Sequence, residues 1–194
     1  RRVLFRSTEN PQFPDDRAEV ALLGEDAGVF ADGSFIFAQR YCHDLEKWKK
    51  LKVDAQEHVI GRTKLESIEL DEDVQPENSH VSRTVVEDDT GNEMEILRHS
   101  LPYGDGKGDQ GLFFIAYTKD LSIIDAMLER MFGTSGDGIH DRLLHFVTAM
   151  DGAYYFAPSE ELLEVVLEDW SVISMESHNI SDFILFVCVS QAYL

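Results

Sequence analysis

The chain has 194 residues, with 17 Lys+Arg against 37 Asp+Glu and a formal net charge of −20. That length suits one domain of ordinary size, or one and a half, and 43% hydrophobic residues with 12 Phe and 6 Tyr exclude global disorder. The acidity argues against a nucleic-acid partner, which needs a basic face, and against an anionic membrane surface.

The first seven residues, Arg1-Arg2-Val3-Leu4-Phe5-Arg6-Ser7, do not belong with the rest of the chain. They match a common sequencing-library adapter translated in one frame, so the native chain is expected to begin at Thr8 as part of a longer protein. A genuine basic arm is the alternative. Setting the three arginines aside makes the remainder still more acidic. Thr8 to Asp16, with Pro11 and Pro14, reads as a loop, and Glu19 to Leu23 as a short apolar stretch ended by a turn at Gly24. Ser34 to Tyr41 alternates and is rich in aromatics, which predicts a strand. His43 to Leu51 carries Leu45, Trp48 and Leu51 at helical spacing, with Asp44 as a first-turn acid, and Gln56 to Ile60 predicts a short helix stopped by Gly61.

Lys64 to Ser79 reads as an acidic loop. Thr84 to Val86 and Glu93 to Arg98 read as short strands around the Asp88–Asn92 turn. Leu101 to Gln110 reads as a Pro- and Gly-rich loop, and Gly111 to Tyr117 as a buried strand. Leu121 to Phe132 shows a helical apolar stripe, and Asp137 to Met150 reads as a further helix with Leu143, Leu144, Phe146 and Val147 inward. Gly152 to Ala157 predicts a last strand, and Ser159 to Val166 a helix capped by Ser159. The irregular alternation, with strands able to pair as hairpins, predicts an α+β fold with an antiparallel sheet and helices on one face.

Two cysteines, Cys42 and Cys188, are far apart and exclude a disulfide scaffold or a thiolate zinc site. The apolar run Phe183 to Val189 is far shorter than the ~20 residues that span a bilayer, and no apolar signal segment comes after the arginine-rich start. A cytoplasmic setting is the expectation. Gly106 to Gly111 matches GxGxxG but leads into a strand, so it reads as a flexible loop and not as a dinucleotide site. Asp137, His140, Asp141 and His145 suggest a metal cluster, but on a helix the two histidines would stand about 140° apart and not converge. The acidic run Glu69 to Asp73 lacks the spacing of a calcium loop. His80, at the start of a strand-like stretch, and Arg98, after an apolar strand, would alone pass for ordinary residues.

Taken in order, however, the motifs form a pattern. They are Thr8-Glu9-Asn10-Pro11, Asp32-Gly33-Ser34, Gln39-Arg40-Tyr41-Cys42-His43-Asp44-Leu45, Gln56-Glu57, Ile60-Gly61-Arg62-Thr63-Lys64 and Ser79-His80. Further along the chain come Arg98-His99-Ser100-Leu101-Pro102-Tyr103-Gly104, Gly111-Leu112-Phe113-Phe114 and Tyr154-Tyr155-Phe156-Ala157-Pro158-Ser159. In this order and spacing, from about Thr8 to Leu163, the chain resembles the dye-decolourising peroxidases, in particular their bacterial B (or P) class.

The resemblance implies a haem b protein of two ferredoxin-like halves, of which residues 8–165 look like the C-terminal, haem-binding half. Residues 166–194 have no counterpart in the pattern and are read as an unassigned extension. His80 matches the axial iron ligand and Asp141 the carboxylate on its other nitrogen. Arg98 matches the distal arginine, Ser100 and Phe114 match pocket-lining positions, and Arg62 matches an arginine near a propionate. A carboxylate behind an imidazole fixes its tautomer and makes it a more basic ligand. A guanidinium, always charged, stabilises negative charge on a departing oxygen.

In the family a proton is shuttled by the aspartate of a GxxDG motif directly before Thr-Glu-Asn-Pro. Here Leu4 to Ser7 stand in that place, and Asp32-Gly33 lies downstream with the wrong spacing. The expected function is therefore peroxidation of dyes, phenolics or similar donors by hydrogen peroxide, weak in this fragment, with homo-oligomerisation open for the full-length parent. A haem-binding or haem-handling protein without turnover and a haem-free ferredoxin-like module are the alternatives. Tyr103, Tyr154, Tyr155 and Trp48 are read as packing residues first and as electron carriers second.

Overall fold

The strongest alternating segment of the sequence forms the centre of the structure. The computed structural model describes residues 10–167 apart from 12 and 105–107. The adapter-like head and all but the first two residues of the expected extension thus lie outside the described residues. Strand β1, Ser34–His43, pairs antiparallel with β4, Gly111–Thr118, on one side and with β5, Val147–Ala157, on the other. Two short strands, β2 (Leu97–Arg98) and β3 (Leu101–Tyr103), both pair antiparallel with β4. The order is β2-β4-β1-β5, with β3 beside β4.

The helices are α1 (Pro14–Ala21), α2 (Leu45–Lys49), α3 (Val53–Ile60), α4 (His80–Thr84) and α5 (Leu121–Phe132). Residues 160–167 are also helical. The architecture is α+β with an antiparallel sheet, as the sequence pattern predicts, and ferredoxin-like, as the resemblance implies. Among the described residues no helix is long and apolar enough to cross a membrane.

Alternation with period two decides which side chains meet. Phe37, Gln39 and Tyr41 share one face of β1, and the register sets them opposite Ala116, Phe114 and Leu112. Arg98 pairs with Ala116 and so lies on that same face. The face is closed by α5, giving a buried cluster of Phe37, Ile96, Ala116, Ile123 and Ile124. Each large side chain sequestered there contributes about 1.5–3 kcal/mol. Helix α5 occupies the predicted span because its ends are well specified: Asp120 accepts the Ser122 amide at 2.9 Å, and Gly133 takes the left-handed cap at φ 73°.

Several expectations are corrected. Residues 137–150 are not a helix: Arg142–His145 form a single 3-10 turn and β5 begins at Val147. Gly136 and Gly138 hold φ of 95° and 71°, which breaks any helix, and the apolar spacing of residues 143–147 comes from a tight turn running into a strand. Thr84 ends a helix and does not open a strand, and of Glu93 to Arg98 only Leu97–Arg98 form one. Leu101–Tyr103 is a strand inside the expected loop. The expected loop 8–16 gives way to α1 at Pro14, where the ring sits in the first turn ahead of Asp15 and Asp16. His43 ends β1, and Asp44 caps the helix after it by accepting the Lys47 amide at 2.8 Å.

Candidate functional site

His80 is the first residue of α4, and its neighbours fix where it stands. Ser79, fully buried, caps the helix by accepting the Ser82 amide at 3.2 Å, and its hydroxyl donates to that of Ser82 at 2.9 Å. Gln75 donates to the same Ser82 hydroxyl at 2.9 Å. Helix α3 ends against this cap at Gly61, whose φ is 93°. A Cβ there would stand 2.9 Å from the Ser79 hydroxyl and from Val81, so only glycine permits the approach.

The His80 ring is tied from the far side of the sequence. Its Nδ1 donates to Asp141 Oδ2 at 2.6 Å, across 61 positions. Asp141 is completely buried, and its other oxygen accepts the Leu143 amide at 2.8 Å. The backbone around it is pinned as well: the Asp141 amide donates to the Met131 carbonyl and the Arg142 amide to the Asn78 carbonyl, at 2.8 and 2.9 Å. The carboxylate therefore sets the tautomer and the ring plane, leaving Nε2 as the nitrogen available to a ligand.

A residue without any mark in the sequence holds the assembly together. Arg83, 2% exposed, donates from Nη2 to Asp137 Oδ2 at 2.7 Å and to the Ser135 hydroxyl at 3.3 Å, and from Nε to the Arg130 carbonyl at 2.9 Å. Arg130 in turn donates to the Ser82 carbonyl at 2.8 Å. One turn of helix is thus locked to α5 and to the loop that delivers Asp141. No local pattern could have found Arg83, since its partners lie about fifty positions away. Asp137, weighed in the sequence as a metal-cluster member, serves this ion pair. The amide of Ile139 and then the Arg83 guanidinium hold its carboxyl below the ordinary range.

His80 faces an apolar cavity of about 110 Å³, lined among others by Phe37, Tyr41, Leu112, Phe114, Ile124 and Leu128. Burial raises the Tyr41 hydroxyl well above its ordinary pKa, with the charge of Asp141 adding to the effect, and burial lowers His43. Thr84, Ile96 and Met127 line both this cavity and a wider groove of about 940 Å³. Arg98 and Arg62 stand in that groove. The Arg98 backbone is clasped by one side chain: Asn10 accepts its amide at 2.9 Å and donates to its carbonyl at 2.6 Å. This gives Asn10 of the Thr-Glu-Asn-Pro motif a structural purpose. Arg62 donates to Glu69 at 3.0 Å and to the Ser67 carbonyl at 3.1 Å.

Of the residues singled out in the sequence, the structure joins His80 to Asp141, sets Phe114 in the same apolar cavity as His80, and puts Arg98 and Arg62 in the adjoining groove. Ser100, half-buried between β2 and β3, lines neither space. The donor set suits a planar iron macrocycle with two acidic arms. One oriented imidazole, an apolar slot and two guanidiniums in the adjoining groove are the groups it needs.

A family model described as Dyp-type peroxidase, C-terminal, matches residues 5–162. The dye-decolorizing peroxidase of Mycobacterium tuberculosis is 41% identical over 158 residues, covering 81% of this chain and 47% of that protein. That of Rhodococcus erythropolis is 40% identical over 159 residues, covering 81% of this chain and 46% of that protein. Among solved structures, DyPB from Rhodococcus jostii superposes with a TM-score of 0.77 at 46% identity, covering 81% of this chain and 50% of that one. A variant of that protein in complex with heme gives a TM-score of 0.77 at 45% identity, covering 82% and 52%. The dye-decolorizing protein from V. cholerae gives 0.76 at 48% identity, covering 82% and 52%. The chain spans about half the length of the relatives it matches.

Proposed function

The chain belongs to the Dyp-type peroxidase family, and on that premise we propose that it supplies the haem-binding portion of a haem b peroxidase. Such an enzyme uses hydrogen peroxide to oxidise dyes, phenolics or similar small organic donors. The observation that carries the reading is the His80–Asp141 pair facing an apolar cavity. His80 Nε2 would hold the iron. Asp141 keeps the proton on Nδ1 and the ring in register. Arg98 presents a permanent positive charge where negative charge develops on the departing peroxide oxygen. Arg62 is assigned to a propionate and Phe114 to the wall of the haem pocket, whereas Ser100, which lines neither space, is given no part in it.

The haem, when bound, supplies the redox chemistry of peroxide cleavage. A cavity of about 110 Å³ is below the ~300 Å³ of a small-molecule pocket, and the flexible Met127 and Met131 side chains in its wall would have to move for a macrocycle to be held there. Residues 8–165 are the proposed functional unit, in a cytoplasmic setting, and no GxxDG aspartate stands before Thr8 in this sequence. Turnover by the 194-residue chain is accordingly proposed to be weak.

Haem titration of the full chain tests the assignment. A Soret band should develop and be lost in His80→Ala, and an equal Soret response in the two proteins sinks it. Peroxide-driven guaiacol oxidation then separates a peroxidase from a protein that only holds haem. A rate equal to that of a full-length relative would refute the proposed weakness.

A further inference from the structure

His140 and His145, set apart by the helical reading of the sequence, converge in the structure. Their Nε2 atoms are 3.0 Å apart, with ring centroids 5.2 Å apart and planes at 48°. The loop explains it. Positive φ at Gly133, Gly136 and Gly138 turns the chain back, and Asp141 caps the 3-10 turn that ends at His145. Both side chains emerge on one side, and both are exposed.

We propose that His140 and His145 form a surface site for one borderline divalent transition-metal ion, of the class of Cu²⁺, Ni²⁺ or Zn²⁺. Two imidazole nitrogens bound cis to such an ion at ~2.0–2.1 Å stand about 2.9–3.4 Å apart, so the observed separation already suits shared ligation. Imidazole is the ligand these ions favour, and copper binds tightest in the series. The chain's net charge of −20 raises the local concentration of any cation. Lys47, the cation beside the pair, has its ammonium on the His145 carbonyl at 2.8 Å.

Among the described residues no group of three or more His, Cys, Asp or Glu is placed to hold a metal. The site therefore offers two protein ligands, water completes the shell, and the ion exchanges freely. It would clip together both flanks of Asp141, the residue that orients His80. The iron site is a separate matter: this pair has no part in the peroxidase reading, and failure of either leaves the other standing.

The test is titration of the full chain with Cu²⁺ alone, followed by affinity and by the nitrogen superhyperfine pattern in electron paramagnetic resonance. The parent should show two equatorial nitrogens from this pair. His140→Ala and His145→Ala should each remove one and weaken binding by about 10²-fold, since the second imidazole acts intramolecularly. Both positions are exposed, so thermal melts should show folded variants. His58→Ala, at a half-buried histidine elsewhere, should change nothing. Unchanged affinity and nitrogen pattern in the His140→Ala/His145→Ala double variant overturns the proposal.

Discussion

The two walls of the apolar cavity are built by different means. The sheet wall, with Phe37, Leu112 and Phe114, is positioned by strand alternation and register, so each side chain's direction comes from its place in β1 or β4. The helix wall, with His80 and Thr84, sits on a five-residue helix too short to hold itself. That wall depends on polar pins from distant segments: Asp141 on His80, and Arg83 on Asp137, Ser135 and the Arg130 carbonyl. Apolar packing gives one wall bulk stability, and buried hydrogen bonds give the other its geometry. The two should therefore fail differently.

The largest loss of stability is expected on the sheet wall. Phe37 is 4% exposed and packs against Phe114 and Tyr154 with ring centroids 6.1 and 5.1 Å away. Phe37→Ala should cost about 3–5 kcal/mol by urea denaturation. The His80 Nδ1–H resonance in the remaining folded protein should stay where it is. Movement of that resonance would mean that the walls are not independent.

Arg83→Met should cost less in stability, about 2–4 kcal/mol, because it removes three hydrogen bonds of a buried guanidinium. Its effect on the site should be the greater one. With α4 released, the His80–Asp141 bond should loosen, and haem affinity should fall by about 10–100-fold, as for other supports of a metal ligand. A variant with unchanged haem affinity would make Arg83 merely structural. Smaller again is Asn10→Ala, which frees the Arg98 amide and carbonyl and should cost about 1–2 kcal/mol with no effect on His80.

The same difference explains what could be read in the sequence. The sheet wall is legible: β1 and α5 lie where alternation and an apolar stripe put them, and β4 where a continuous apolar run puts it, because burial leaves such traces in a sequence. The helix wall is not. Arg83 carries no local signal, and residues 137–150 look helical because apolar spacing does not distinguish a helix from a 3-10 turn that runs into a strand. His80, Asp141, Arg98, Arg62, Ser100 and Phe114 were reached only through resemblance, since no period links positions 80 and 141. His140 and His145 mark the cost of the wrong helix, as their convergence depends on the glycine turns that replace it.

Acid should separate the walls most cleanly, though with the smallest effect. The Asp137 carboxyl is held below its ordinary value of 3.8, first by the Ile139 amide and then by the Arg83 guanidinium. A carboxyl depressed in the folded state contributes stability that is fully present above its unfolded pKa. That stability is lost as pH falls through the folded value. The gap in urea midpoint between parent and Asp137→Asn should thus be constant above about pH 5 and close progressively below about pH 4. Asn10 does not titrate, so the gap for Asn10→Ala should be flat over the same range. Parallel acid profiles for the two variants would mean that the Arg83–Asp137 pin does not bear on folding, and the helix wall would need another anchor.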